Sequence, residues 1–184
     1  MATIYFYVDS SKLSQIQNFG LKLSDNFSHT VPINGLDKKV FVGLLNPKDD
    51  DIKYNTKNYT CLKVSLYIEQ CYIIDESSLY GKPKESDLVP LKDYIYGTME
   101  NPRVVFNTSI LPEQIDLVND TIDEPILFDN SKDLFYTTQI NALLDELEPK
   151  EAYFALCEYI DFKKKTKWSD LENNIFYIKD KIFR

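Results

Sequence analysis

A single histidine, His29, stands in a chain of 184 residues that also holds only three cysteines, five glycines, two methionines and one tryptophan. Each shortage excludes a chemistry. A Ser-His-Asp or Cys-His arrangement would have to use His29. That residue lies in the polar stretch "SDNFSHTVPING" with no G-x-S-x-G elbow or papain-like Cys context in the chain, and it reads as a solvent-exposed loop histidine. One His and three scattered Cys make no closed ligand set for zinc. The five glycines stand singly, none in a G-x-G or G-K-[ST] context, which excludes a glycine-rich phosphate loop. Cys61, Cys71 and Cys157 are odd in number and lack C-x-x-C spacing, and the start "MATIYFYVDS" has no charged segment followed by an apolar one, so a reduced, cytoplasmic protein is expected. Cys61 and Cys71 sit in apolar, strand-like surroundings and are read as buried, inert thiols. No apolar run approaches the ~20 residues that cross a bilayer, so no membrane contact is expected.

Acid and tyrosine are what the chain has in quantity. There are 29 acidic against 21 basic side chains, for a net charge of −8. Such a balance repels phosphate backbones and works against direct nucleic-acid binding, while it suits a basic protein partner. The 13 Tyr and 11 Phe serve core-edge packing and also favour interfaces. At 43% hydrophobic the chain can bury one substantial core. The run Asp49-Asp50-Asp51 lacks the Gly and terminal Glu of an EF-hand loop and reads as a solvated charged turn; no metal site is expected.

Short strands and turns fill the first two thirds. "TIYFYV" is a strand, and Asp9-Ser10-Ser11 then opens a helix over 10–19 that stops at Gly20. "KKVFVGLL" (38–45), "YTCLKVSLYI" continuing or returning through "CYIID" (59–75), and the segment 103–107 are further strands, and Pro112 opens a helix over 112–119. The stretch "KDDDIKYNTKN" is loop-like. Residues 81–101, with two prolines and two glycines, form a long surface excursion that is either mobile or part of a binding site. Helices follow from Ser131, over about 150–163, and from the capping box Ser169 to Glu172. The expected class is α+β, a mixed, largely antiparallel sheet over 1–120 with a C-terminal helical subdomain over 121–184 packed on it as one folding unit.

The order of elements carries a resemblance. A strand ending "YFYVD", a helix "SKLSQIQNFGLKLS" closed by Gly-Leu, a strand "KVFVGLLNPKDD" and a late strand "PRVVFNTSILPEQI" resemble the ADP-ribosyltransferase fold, in particular the DNA-targeting toxins of the DarT type and, more distantly, RNA 2′-phosphotransferase. The resemblance spans roughly residues 3–118. It implies NAD as cofactor and places Tyr7 where the family has its nicotinamide-site His, Lys48 where the DarT-type enzymes have an Arg, and Arg103 where the catalytic Glu stands. A guanidinium there reverses the field acting on an oxocarbenium-like transition state. Glu100, three residues earlier, is the candidate to replace the missing acid.

Two readings stand side by side. In one, the chain is a non-catalytic, acidic interaction module on a degenerate scaffold of this type, an inhibitor or immunity-like factor that takes no cofactor. It would meet its basic partner through Asp49, Asp50 and Asp51, with Tyr94 and Tyr96 as aromatic anchors. In the other it is an NAD-dependent ADP-ribosyltransferase acting on a nucleic-acid or protein acceptor, with Glu100 as catalytic acid and Tyr7, Lys48 and Arg103 binding the dinucleotide. For Arg103 itself the expectation is a structural or ligand-contacting cation, because guanidinium stays protonated at any working pH; Asp75 and Glu76 stand beside Glu100 as possible partners.

Overall fold

The structure, a computed structural model, describes residues 1–118, 130–154 and 157. The chain divides into two compact units, Met1–Phe135 and Tyr136–Arg184. The boundary expected at residue 120 and the helix expected from Ser169 lie outside the described residues.

Among the described residues of the first unit every strand pairing is antiparallel. Strands β1 (Ala2–Asp9), β4 (Tyr59–Leu66) and β8 (Ile115–Leu117) make a three-stranded sheet in the order β1-β4-β8. Strands β2 (His29–Ile33), β3 (Leu36–Gly43), β5 (Cys71–Asp75), β6 (Val89–Pro90) and β7 (Pro102–Phe106) make a five-stranded sheet in the order β2-β3-β7-β5-β6. All five residues of β7 are buried, as a central strand covered on both faces requires. Its side chains alternate accordingly. Val104 and Phe106 join Phe41 and Ile73 in a core shared with Ile4, Leu62, Val64 and Leu66 of the three-stranded sheet. Val105 turns to a smaller cluster with Val31, Val40, Ile74 and Leu79, the last supplied by helix α4 (Glu76–Tyr80), to which Asp75 contributes the capping carboxylate.

The two sheets meet at one crossing. Tyr5 and Leu44 form an isolated antiparallel bridge, each amide donating to the other's carbonyl at 2.9 and 2.8 Å. Gly43 permits the approach, since a Cβ there would press on Ile4 Cγ2 and lie 3.2 Å from the Tyr5 carbonyl oxygen.

The sequence expectations hold for the α+β class and for most strands, with five local corrections. The polar loop around His29 is a hairpin: β2 and β3 pair from His29↔Val40 to Ile33↔Leu36 around Asn34 and Gly35, whose φ of 54° and 73° give the primed turn that matches strand twist. The expected helix over 112–119 is one 3-10 turn, Pro112–Gln114, followed by β8, because Ile115 and Leu117 alternate and pair with Val64 and Leu62. Strand 59–75 is two strands in different sheets, broken by a 3-10 turn at Ile68–Gln70. The loop-like stretch after Pro47 contains the helix α3 (Asp51–Tyr54), and the excursion 81–101 is tied down through β6 and through the burial of Leu91 and Tyr94 in the main core.

The opening helix is a 3-10 turn, Ser10–Lys12, capped by the Asp9 carboxylate accepting from Ser11 N at 2.8 Å and running into α1 (Leu13–Phe19). A short helix α2 (Leu23–Asn26) follows. Helix α5 (Ser131–Asp145) begins at the residue the sequence indicated, and the unit boundary falls within it. In the second unit Tyr136 and Ile140 are buried, and residues 149–154 are helical, within the helix expected near 150.

Gly43→Ala tests the crossing. Overpacking against Ile4 and the Tyr5 backbone is expected to cost about 1–3 kcal/mol, read as a lower urea midpoint at unchanged slope. A wild-type midpoint would show that the sheets have room to spare there.

Candidate functional site

Beyond Leu44 the chain enters a 3-10 turn, Pro47–Asp49, that closes on itself. Asn46 Oδ1 accepts from Lys48 N at 2.9 Å, and Asp49 Oδ2 accepts from Asn46 N at 3.0 Å, a reciprocal box that fixes both ends. A one-way cap follows: the Asp50 carboxylate caps α3 by accepting from Lys53 N at 3.1 Å and pairs with the Lys53 ammonium at 2.9 Å.

Three distant elements reach this turn. From β1, the Tyr7 hydroxyl donates to the Pro47 carbonyl at 2.9 Å. From β7, Arg103 Nη2 donates to the Asp49 carbonyl at 3.3 Å. From the start of α5, Ser131 donates through both its backbone N and its hydroxyl, at 2.6 and 2.8 Å, to the Asp49 carboxylate. Tyr7 and Arg103, named separately from the sequence, therefore meet at the turn that contains Lys48. Glu100 stands beside it rather than in it, paired at 2.9 Å with Lys132, the neighbour of Ser131.

Arg103 is the most constrained member. Its guanidinium forks onto Glu76, with Nε to Oε1 at 3.3 Å and Nη2 to Oε2 at 3.0 Å. The carboxylate it faces is the one at the head of α4, not Glu100, and the strand pairing Ile74↔Arg103 is what brings Glu76 within reach. Burial among Cys61 and nearby acidic groups drives the Tyr7 hydroxyl well above the ordinary tyrosine range, so it remains a donor at any working pH. Burial also raises the Cys61 thiol to about 11, in spite of its hydrogen bond with Tyr7, and the Cys71 thiol to about 11, which leaves both un-ionised at neutral pH and inert as nucleophiles. Lys48 is half-buried, with its ammonium 5.9 Å from the centre of the Tyr54 ring. The turn thus presents fixed donors, a tyrosine hydroxyl and a guanidinium, that are engaged by protein oxygens.

The acidic residues named as partner contacts divide by position. Asp49 is a half-buried structural acid. Burial raises its carboxyl, against the pull of the Ser131 and Asn46 hydrogen bonds and of the Arg103 charge. For Asp50, burial raises the carboxyl but the hydrogen bonds and charge of Lys53 outweigh it, and the net direction is downward. Asp51 is exposed and accepts from Asn55 Nδ2 at 2.6 Å; it shares α3 with Ile52, 80% exposed, and with the exposed Tyr54, while the exposed Tyr59 ring has the Lys53 ammonium 5.9 Å from its centre. Tyr94 is only 8% exposed and belongs to the core, which removes it as an anchor, whereas Tyr96 is 58% exposed. His29 is half-buried on β2 with its ring 5.9 Å from that of Tyr80. Among the described residues no group of His, Cys, Asp and Glu is placed to hold a metal ion, and no helix is long and apolar enough to cross a membrane.

Sequence pattern marks Ser131 only as a helix start and gives Lys132 and Lys53 no role. Lys53 could have been found from its i+3 spacing to Asp50; Ser131 lies 82 residues from Asp49, and no local pattern signals that contact. No family model, no curated protein and no solved structure matches this chain.

Two measurements check the electrostatics. Glu76→Ala leaves a guanidinium whose side chain is 11% exposed without its carboxylate, and is expected to cost about 3 kcal/mol; Arg103→Met leaves a carboxylate 31% exposed, which water reaches, at roughly 1–2 kcal/mol. Equal losses, or a larger one for Arg103→Met, would show that the pair does not hold the buried charge. For Asp49, the folded carboxyl keeps its proton to a higher pH than the usual 3.8, so its ionisation subtracts stability as pH rises from 3.8 through the folded value. The unfolding free energy of Asp49→Asn should therefore improve relative to wild type between pH below 3.8 and neutrality. A difference that is flat with pH, or that moves against the variant, would reverse the sign assigned here.

Proposed function

We propose that this chain is a non-catalytic, acidic protein-interaction module on a scaffold similar to a degenerate ADP-ribosyltransferase, an inhibitor or immunity-like factor that works in the cytoplasm and recognises a basic protein surface. One observation carries the reading: the groups that would have to act on NAD are engaged by the protein itself. Arg103 is forked onto Glu76, Glu100 is paired with Lys132, and the Tyr7 hydroxyl is held by the Pro47 carbonyl. What lies open beside them is a recognition surface. Asp51, Ile52, Tyr54 and Tyr59 combine exposed acid with exposed apolar and aromatic area, the composition of an interface whose charge steers and whose aromatics anchor. Tyr96 offers a further exposed ring.

The alternative, an NAD-dependent ADP-ribosyltransferase, draws on the convergence of Tyr7, Lys48 and Arg103 at one turn. Chemistry of that type needs side chains brought together from separate strands. In this reading Glu100 must leave Lys132 to serve as the acid. Calorimetric titration with NAD separates the two, the interaction reading expecting no heat at millimolar NAD.

Affinity capture from the source cell with the full chain should return one stoichiometric partner of net positive charge. Its binding should weaken as salt shortens the Debye length below the ~8 Å of physiological ionic strength. The double variant Asp51→Lys, Ile52→Ala should weaken that binding at least about tenfold, the equivalent of ~1.4 kcal/mol, without changing the thermal midpoint. A partner indifferent to salt and to this variant would contradict the reading.

A further inference from the structure

Gln15 and Phe19 lie four apart on one face of α1, Lys12 stands three residues before Gln15 at the end of the 3-10 turn that leads into it, and Asn26 closes α2 four residues after Lys22, which immediately precedes that helix. The two faces enclose a cleft of about 420 Å³, within the range of small-molecule sites. Its floor is apolar and fixed. Ile16 and Leu21 are buried there, and Leu21 exchanges both backbone hydrogen bonds with Ile110, at 2.8 and 2.9 Å. Gly20 closes α1 at φ +69°, and a Cβ at that position would run into the Ile110 carbonyl oxygen. The start of α2 is pinned by Leu23 N donating to Ser109 Oγ at 3.0 Å. Both walls therefore hang on the segment 109–110, and the cleft is preformed.

Its chemistry is at odds with the rest of the molecule. In a chain of net charge −8 the cleft carries two ammonium groups, Lys12 and Lys22, against one carboxylate, Asp25. Neither lysine makes a close ion pair among the described residues, although Lys12 lies near enough to Asp9 to help lower its carboxyl. Phe19, on the rim, is 74% exposed, so its ring face is open to a ligand. The Gln15 amide offers a donor and an acceptor together, and Asn26, whose NH2 already donates to the Lys22 carbonyl at 2.9 Å, has its oxygen left to accept.

We propose that this cleft binds a small ligand that joins an anionic group to a planar ring, of the nucleoside monophosphate class. Lys12 and Lys22 hold the phosphate, the ring stacks on Phe19, and the Gln15 and Asn26 amides read polar atoms at the ring edge. The site is separate from the Pro47–Asp49 turn and independent of the function proposed for it.

The test uses the full chain titrated with AMP and with UMP, and with adenosine and inorganic phosphate as separate halves of the ligand. Calorimetry gives the affinity, and amide chemical shifts give the location. At least one nucleotide should bind with Kd at or below about 1 mM, with shifts centred on Gln15, Gly20 and Lys22. Adenosine and phosphate should each bind at least tenfold more weakly. Lys22→Ala, Lys12→Ala and Phe19→Ser, all at exposed positions, should each weaken the nucleotide at least tenfold at an unchanged thermal midpoint, and Lys57→Ala should leave it unaltered. The proposal fails if neither nucleotide binds, if the shifts fall elsewhere, if the three variants bind as wild type does, or if phosphate alone matches the nucleotide.

Discussion

Two backbone hydrogen bonds between Tyr5 and Leu44 join the sheets, and the rest of the first unit is arranged around them. They exist because Gly43 has no side chain to hold β1 away from the end of β3. With the crossing made, Ile4 faces Phe41, Val104 and Phe106 of the other sheet in one core. Tyr7, two residues beyond Tyr5, then has the Pro47 carbonyl, three residues beyond Leu44, within reach of its hydroxyl. The close approach of two strands is thus also what positions the candidate site.

The turn at Pro47–Asp49 gathers neighbours through its oxygens. Two backbone carbonyls and one carboxylate accept from Tyr7, Arg103 and Ser131. A hub of acceptors selects donors, and a donor held on a protein oxygen is poorly suited to move protons. The Asp49 carboxylate meets the first turn of α5, where unsatisfied amides and the helix dipole favour negative charge. The cost is its burial, which shows in the upward direction of its pKa. The ion pair of Arg103 with Glu76 completes the network, and it leaves the guanidinium with little capacity for a ligand.

Charge is unevenly spread over this acidic chain. Around α3 exposed acid stands next to exposed apolar and aromatic side chains, while between α1 and α2 two lysines border an uncovered phenyl ring. Net charge describes neither surface. It reports the long-range field that an approaching molecule meets first, and the local groups decide what is held.

Element type was legible wherever a local rule operates alone: the apolar alternation of β4, the apolar run Val104-Val105-Phe106 of β7, the Asp9 cap, the glycine stop after Phe19 and the start of α5 at Ser131. The hairpin at Asn34-Gly35 was legible too, and was missed because the polar residues before it outweighed a strong turn signal. Residue chemistry alone makes Arg103 a cation without acid-base function, whereas it is burial in the folded unit that raises the thiols of Cys61 and Cys71 and leaves them poor nucleophiles. Only the tertiary structure decided that residues 115–117 form a strand, because a three-residue strand exists only if β4 has a free edge to receive it. The same holds for Arg103 choosing Glu76, for Tyr94 lying in the core, and for Asp49 capping a helix 82 residues away. Local spacing governs dihedral preference and capping within a turn or two of chain. Which charges and rings meet is set by sheet register and by the crossing at Gly43, and those depend on the packing of the whole unit.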